Sequence, residues 1–108
     1  MVKPVILTVD DDVHVLRAVE RDLLRKYGKD YRVLKAISGE SALELTKNLK
    51  KSCTAVALFL VDQRMPYLTG IEFLSKVKPL YPEAQKILLT AYADTEVAIE
   101  SINTIDLD

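Results

Sequence analysis

Three short apolar runs, each closed on its carboxyl side by an acid or a hydroxyl, constrain the fold of this chain more than any other feature. Val5 to Val9 runs into Asp10-Asp11-Asp12, Ala57 to Val61 into Asp62, and Ile87 to Leu89 into Thr90-Ala91. Continuous runs of this length suit strands buried on both faces of a parallel sheet, and are too short for a membrane span. In such a sheet, residues just past the carboxyl ends of neighbouring strands share one crevice, which is where open α/β folds bind ligands. The spacing therefore describes a site as well as a fold.

Between these runs the hydrophobic period becomes helical. Leu16, Val19, Leu23 and Tyr27 form one stripe, with Arg17, Arg21 and Arg25 on another side and Gly28 as a stop, which predicts a helix from Asp12 or Val13 to Tyr27. A further strand is expected over Tyr31 to Ile37. Ser38 can cap a second helix carrying Ala42, Leu45 and Leu49 on one face, and Ile71, Leu74 and Val77 mark a third that Pro79 stops or bends. Asp94 can cap a fourth, with Ala98, Ile99 and Ile102 inward. The order βαβαβαβα, without repeat or linker, implies right-handed crossovers in one doubly wound α/β domain.

The 108 residues fit a single domain, and a net charge of −1 points to no polyanion-binding surface. The dispersed bases of the first helix look like a solvated face, so nucleic-acid binding by this segment is not expected. The amino-terminal apolar run is too short for a signal peptide or membrane anchor, which makes a cytoplasmic location the default. Cys53 is the sole cysteine, lies in a polar stretch and reads as an incidental loop thiol. His14, the sole histidine, reads as a solvated helix position.

Successive strand residues point to opposite faces, so Asp10 and Asp11 must lie where the chain has left its strand. If the first and third strands are neighbours, Asp62 arrives beside them, and three like charges would raise one another's pKa unless a cation neutralises them. A hard divalent ion with oxygen ligands and retained waters fits, which in a cell means Mg²⁺. Asp12 also suits a helix N-cap. That structural role cannot absorb Asp62, which is followed by Gln63-Arg64-Met65-Pro66 and turn chemistry up to Thr69-Gly70.

These residues resemble the receiver domain of two-component response regulators. The resemblance rests on Val-Asp-Asp-Asp at 9 to 12, Leu-Val-Asp-Gln-Arg-Met-Pro-Tyr-Leu-Thr-Gly at 60 to 70 and Leu-Leu-Thr-Ala-Tyr-Ala-Asp at 88 to 94, in order and suitably spaced. It implies a flavodoxin-like doubly wound parallel sheet. It also implies that Asp10 and Asp11 hold Mg²⁺ and that Asp62 accepts a phosphoryl group from a sensor histidine kinase or phosphotransfer protein. Arg64 would lend its main-chain carbonyl to the metal, Thr90 would bond the phosphoryl oxygen, and Ala91 would offer its N–H. Movement of the segment from Tyr92 to Val97 would be the output.

The family continues with a fifth strand ending in Lys-Pro and a fifth helix, whereas residues 91–108 contain no Lys or Arg. The resemblance thus implies one receiver domain over 1–108, incomplete at its carboxyl end, with strand order 2-1-3-4, the fifth βα unit absent and the output module elsewhere. An exposed fourth strand and helix four would then favour self-association. The last ten residues also look like receivers attached to cyclic-dinucleotide phosphodiesterases and flavin-dependent thioredoxin-reductase-like proteins. Two rivals stand beside the phosphoacceptor. One is a receiver-like interaction module that works without phosphorylation. The other is a phosphatase of the haloacid dehalogenase type, which needs a cap domain and a later Lys for which there is no room.

Overall fold

The computed structural model describes residues 3–89. Their elements are β1 (Val5–Val9), α1 (Val13–Tyr27), β2 (Arg32–Ala36), α2 (Gly39–Lys51), β3 (Val56–Asp62), α3 (Gly70–Val77) and β4 (Gln85–Leu89). The strands are all parallel in the order β2-β1-β3-β4, as expected. The helix expected after Asp94, with Thr90 and Ala91, lies outside the described residues.

Alternation along the strands sorts the layers. Val5, Leu7 and Val9 of β1, Phe59 and Val61 of β3 and Leu88 of β4 pack with Ala42, Leu49, Phe73, Leu74 and Val77 of α2 and α3 in one core. Phe59 sits at its centre, its ring 5.9 Å from that of Phe73 and 6.0 Å from that of Tyr81. Ile6 and Thr8, also buried, point to the other face, where α1 lies across β1 and β2 and buries Leu16 and Leu23. Arg17, Arg21 and Arg25 are exposed, as the helical period predicts.

Helix ends follow local chemistry. The Asp12 side chain caps α1 by accepting from the His14 and Val15 N–H groups, and Ser38 caps α2 by accepting from Ser41 N–H. The third helix ends at Val77, two residues before Pro79, which settles its boundary. Gly28 follows the last residue of α1 in a right-handed conformation (φ −61°), so it ends the helix without the left-handed turn that glycine often supplies there.

Strand four departs from the expectation of burial on both faces. Lys86 and Leu88 are buried, but Ile87 is 42% and Leu89 36% exposed. The strand also begins two residues before its apolar run, at Gln85, because its backbone pairs with Leu58 and Phe59 whatever the side chains are. Lys86 tolerates burial because its Nζ donates to the carbonyls of Tyr81 and Ala84 at 2.9 and 2.8 Å. Among the described residues β4 is the edge strand beside β3.

Candidate functional site

The site is assembled where β1 and β3 end side by side. Val9 of β1 pairs with Val61 of β3, so the residues that follow, Asp10 and Asp62, emerge next to each other. Asp10 has left the strand, yet its N–H still donates to the Ala36 carbonyl at 3.2 Å, which anchors the turn to β2. Its Oδ1 in turn accepts from Asp12 N–H at 2.9 Å. This bond fixes the Asp10 carboxylate and starts the turn that Asp12 completes as the cap of α1. The three consecutive acids therefore divide: Asp12 serves the helix, while Asp10 and Asp11 remain for the crevice.

One carboxylate oxygen from each of Asp10, Asp11 and Asp62 lies within 4.8 Å of the others, the group that could hold a metal among the described residues. Asp10 is buried, Asp62 half-buried and Asp11 exposed, so the cluster opens to solvent on one side. Their mutual repulsion is visible in the acidities. The Asp62 carboxyl is pushed up to about 6, first by burial and then by the charges of Asp10 and Asp11. A hydrogen bond from the Arg64 backbone N–H and the Arg64 charge oppose this. Asp10 is also raised, by burial foremost, with the Asp12 N–H pulling down and the charges of Asp11 and Asp12 pushing up.

The donor set suits a hard cation. Mg²⁺ takes oxygens at about 2.0–2.1 Å and keeps several waters, so oxygens sharing it stand roughly 3–4 Å apart. The 4.8 Å within which the three oxygens lie is near that spacing, and the solvent-exposed side of the cluster leaves room for waters. His14 and Cys53 are both exposed, and neither joins the cluster.

The loop from β3 to α3 is held firmly. Met65 and Leu68 are buried and anchor it to the core, whereas Tyr67 is 92% exposed and adopts a left-handed backbone (φ 69°). Gly70 begins α3 so close to β3 that a Cβ there would stand 2.5 Å from the Asp62 carbonyl oxygen and 2.6 Å from Leu88 Cδ1. Thr69 and Glu72 form a capping box, with Thr69 Oγ1 accepting from Glu72 N–H at 3.2 Å and Glu72 Oε1 from Thr69 N–H at 2.9 Å. That pair is legible in the sequence as Thr-x-x-Glu. Leu89 is the register partner of Asp62, and its carbonyl accepts from Gln63 N–H at 3.0 Å, so Thr90 is the next residue after one tied to the Asp62 peptide.

The response regulator receiver domain family model matches residues 6–105. The chain belongs to that family. Among curated relatives, the receiver is 37% identical over 103 residues to the transcriptional regulatory protein ZraR of Escherichia coli K12, covering 95% of this chain and 22% of that protein. It is 34% identical over 95 residues to a cyclic di-GMP phosphodiesterase of Thermotoga maritima, covering 86% of this chain and 22% of that protein. The receiver thus spans about a fifth of the length of these relatives. A crystal structure of a response regulator receiver domain protein from Clostridium thermocellum superposes with a TM-score of 0.76 at 27% identity, covering 94% of this chain and 76% of that one. The fold is therefore the flavodoxin-like fold of two-component receivers, and the receiver is not itself a catalytic output module. Among the described residues no helix is long and apolar enough to cross a membrane.

Proposed function

We propose that the domain accepts a phosphoryl group on Asp62 from a phosphohistidine of a sensor kinase or phosphotransfer protein, in a Mg²⁺-dependent step. The observation that carries this reading is the convergence of Asp10, Asp11 and Asp62 within 4.8 Å at the ends of adjacent strands. Asp10, Asp11, Asp62 and the main-chain carbonyl of Arg64 would hold the metal. When bound, Mg²⁺ would supply positive charge that lowers the pKa values of the cluster, keeping its carboxylates ionised, and offsets the negative charge of the phosphoryl oxygens.

The ionised Asp62 oxygen is the nucleophile. Its lone pair forms the new O–P bond as the P–N bond to the donor imidazole breaks, and the imidazole nitrogen keeps that electron pair and takes up a proton. Positioning accounts for most of the catalysis in such a transfer. Asp62 stands at a strand end whose neighbours are fixed by the sheet, so it needs little reorganisation. Thr90 is proposed to bond the transferred group and Ala91 to donate its N–H, drawing the segment from Tyr92 to Val97 into a second arrangement. Output through a module outside these 108 residues, a cytoplasmic location and self-association through the β4 edge and the helix expected after Asp94 belong to the same proposal.

Intact mass after incubation with acetyl phosphate and Mg²⁺ tests it. A single phosphoryl adduct, lost in Asp62→Asn and without metal, is expected. An unmodified wild-type mass would replace this reading with an interaction module that works without phosphorylation.

A further inference from the structure

Helix α3 has eight residues, and its first free N–H groups are all claimed from outside the helix. Thr69 Oγ1 takes that of Glu72. The other two go to one residue: the Gln63 carbonyl accepts from Gly70 N–H at 3.2 Å, and the Gln63 side-chain Oε1 accepts from Ile71 N–H at 2.9 Å, eight positions away in the chain. The donor is a backbone N–H, so the side-chain atom facing it must be oxygen. At the same time the Gln63 N–H is bound to the Leu89 carbonyl, and its carbonyl also accepts from Met65 N–H at 3.2 Å. Gln63 therefore ties β3, β4, the loop and α3 together immediately after Asp62.

The tie bears on the site through contact. The start of α3 rests on the Asp62 peptide, within van der Waals limits that exclude a methyl group at Gly70. A helix start that drifts by a few tenths of an ångström must move that peptide, or move off it and free residues 63–69. Those residues include Arg64, whose N–H holds the Asp62 carboxylate.

We propose that Gln63 is a positioning residue of the phosphoacceptor site: its side-chain carbonyl, by capping α3, fixes the Asp62 carboxylate and the Arg64 backbone in the arrangement that binds a divalent cation and receives a phosphoryl group. This rests on the reading of Asp62 given above. The residue acts through the loop and touches no reacting atom.

Three variants of the same chain test it, with Mg²⁺ affinity by calorimetry, the rate of adduct formation from acetyl phosphate, and amide exchange at Ile71. Gln63→Met keeps the length and removes the acceptor. It is expected to expose Ile71 to exchange, to weaken Mg²⁺ binding by about tenfold, as loss of an outer-shell partner does, and to slow phosphorylation at saturating metal. Gln63→Glu keeps an acceptor and should restore Ile71 protection and Mg²⁺ affinity. Thr69→Ala removes a different cap of the same helix and should lower stability while leaving metal affinity within twofold. If Gln63→Met exchanges faster at Ile71 but binds Mg²⁺ and takes up phosphoryl like the wild type, or if Thr69→Ala weakens Mg²⁺ equally, Gln63 is a helix cap and nothing more. Should Gln63→Met not fold, Gln63→Asn, one methylene too short to reach Ile71, is read in the same way. A wild type that binds Mg²⁺ but takes no phosphoryl group overturns the phosphoacceptor reading instead, and leaves the metal arm of this test in force.

Discussion

The two ends of the sheet treat polar groups in opposite ways. At the amino ends of β3 and β4, Tyr81 OH donates to the Thr54 carbonyl at 2.6 Å, Lys86 Nζ donates to two carbonyls, and the Lys50 ammonium lies 5.1 Å from the centre of the Tyr81 ring. Donors meet carbonyl oxygens there and an ammonium meets a ring face, so the polar groups are satisfied beside the core. At the carboxyl ends of β1 and β3 three acids converge, and two of them are held at raised pKa. The fold tolerates that repulsion because the cluster is open to solvent on one side. One end contributes stability, and the other stores a charge imbalance that a cation can relieve.

The largest effect that would sharpen this contrast lies in the shared core. Phe59→Ala should cost about 3–5 kcal/mol in urea unfolding, since the ring is fully buried between Phe73 and Tyr81. Gly70→Ala comes next, at about 1–3 kcal/mol, because its methyl group would meet the Asp62 carbonyl and Leu88. Unlike Phe59→Ala scaled to equal stability, it should also weaken Mg²⁺ binding in calorimetry. Equal metal affinity for the two would break the link between the start of α3 and the site.

A smaller effect has the opposite sign. The folded Asp62 carboxyl is raised from 3.8 to about 6, so its contribution to stability is fully present below the unfolded value and is lost as pH rises through 6. Metal-free Asp62→Asn should therefore be more stable than wild type at pH 7.5, by about 1 kcal/mol after allowing for solvent screening. The gain should vanish near pH 4 and shrink when Mg²⁺ binds the wild type. Thermal unfolding across pH checks it, and a destabilised Asn variant would show that the cluster is not under charge strain. Of similar size is Tyr81→Phe, which should lose about 1 kcal/mol through the bond to Thr54 and leave Mg²⁺ affinity unchanged.

Much of the site was legible because strand ends are written in the sequence. Asp10, Asp11 and Asp62 follow apolar runs, and a parallel sheet brings such positions together whatever the details of packing. The helix caps at Asp12 and Ser38 were legible for the same local reason. Gln63 was not. Its partner, Ile71, is set by where α3 docks, and nothing in Asp-Gln-Arg-Met-Pro distinguishes a capping amide from a solvated one. The buried Lys86 was also hidden, because the carbonyls that satisfy it belong to a turn whose shape depends on Tyr81 packing against Phe59.

The sequence by itself determined the alternation of strands and helices, the crevice and the three acids in it, since hydrophobic period and chain punctuation act over a few residues. The tertiary structure alone decided how closely Asp10, Asp11 and Asp62 converge, how far burial raises Asp62, and that α3 rests on the Asp62 peptide. Those outcomes depend on distances between residues far apart in the chain, and desolvation, repulsion and close contact take their magnitude from distance.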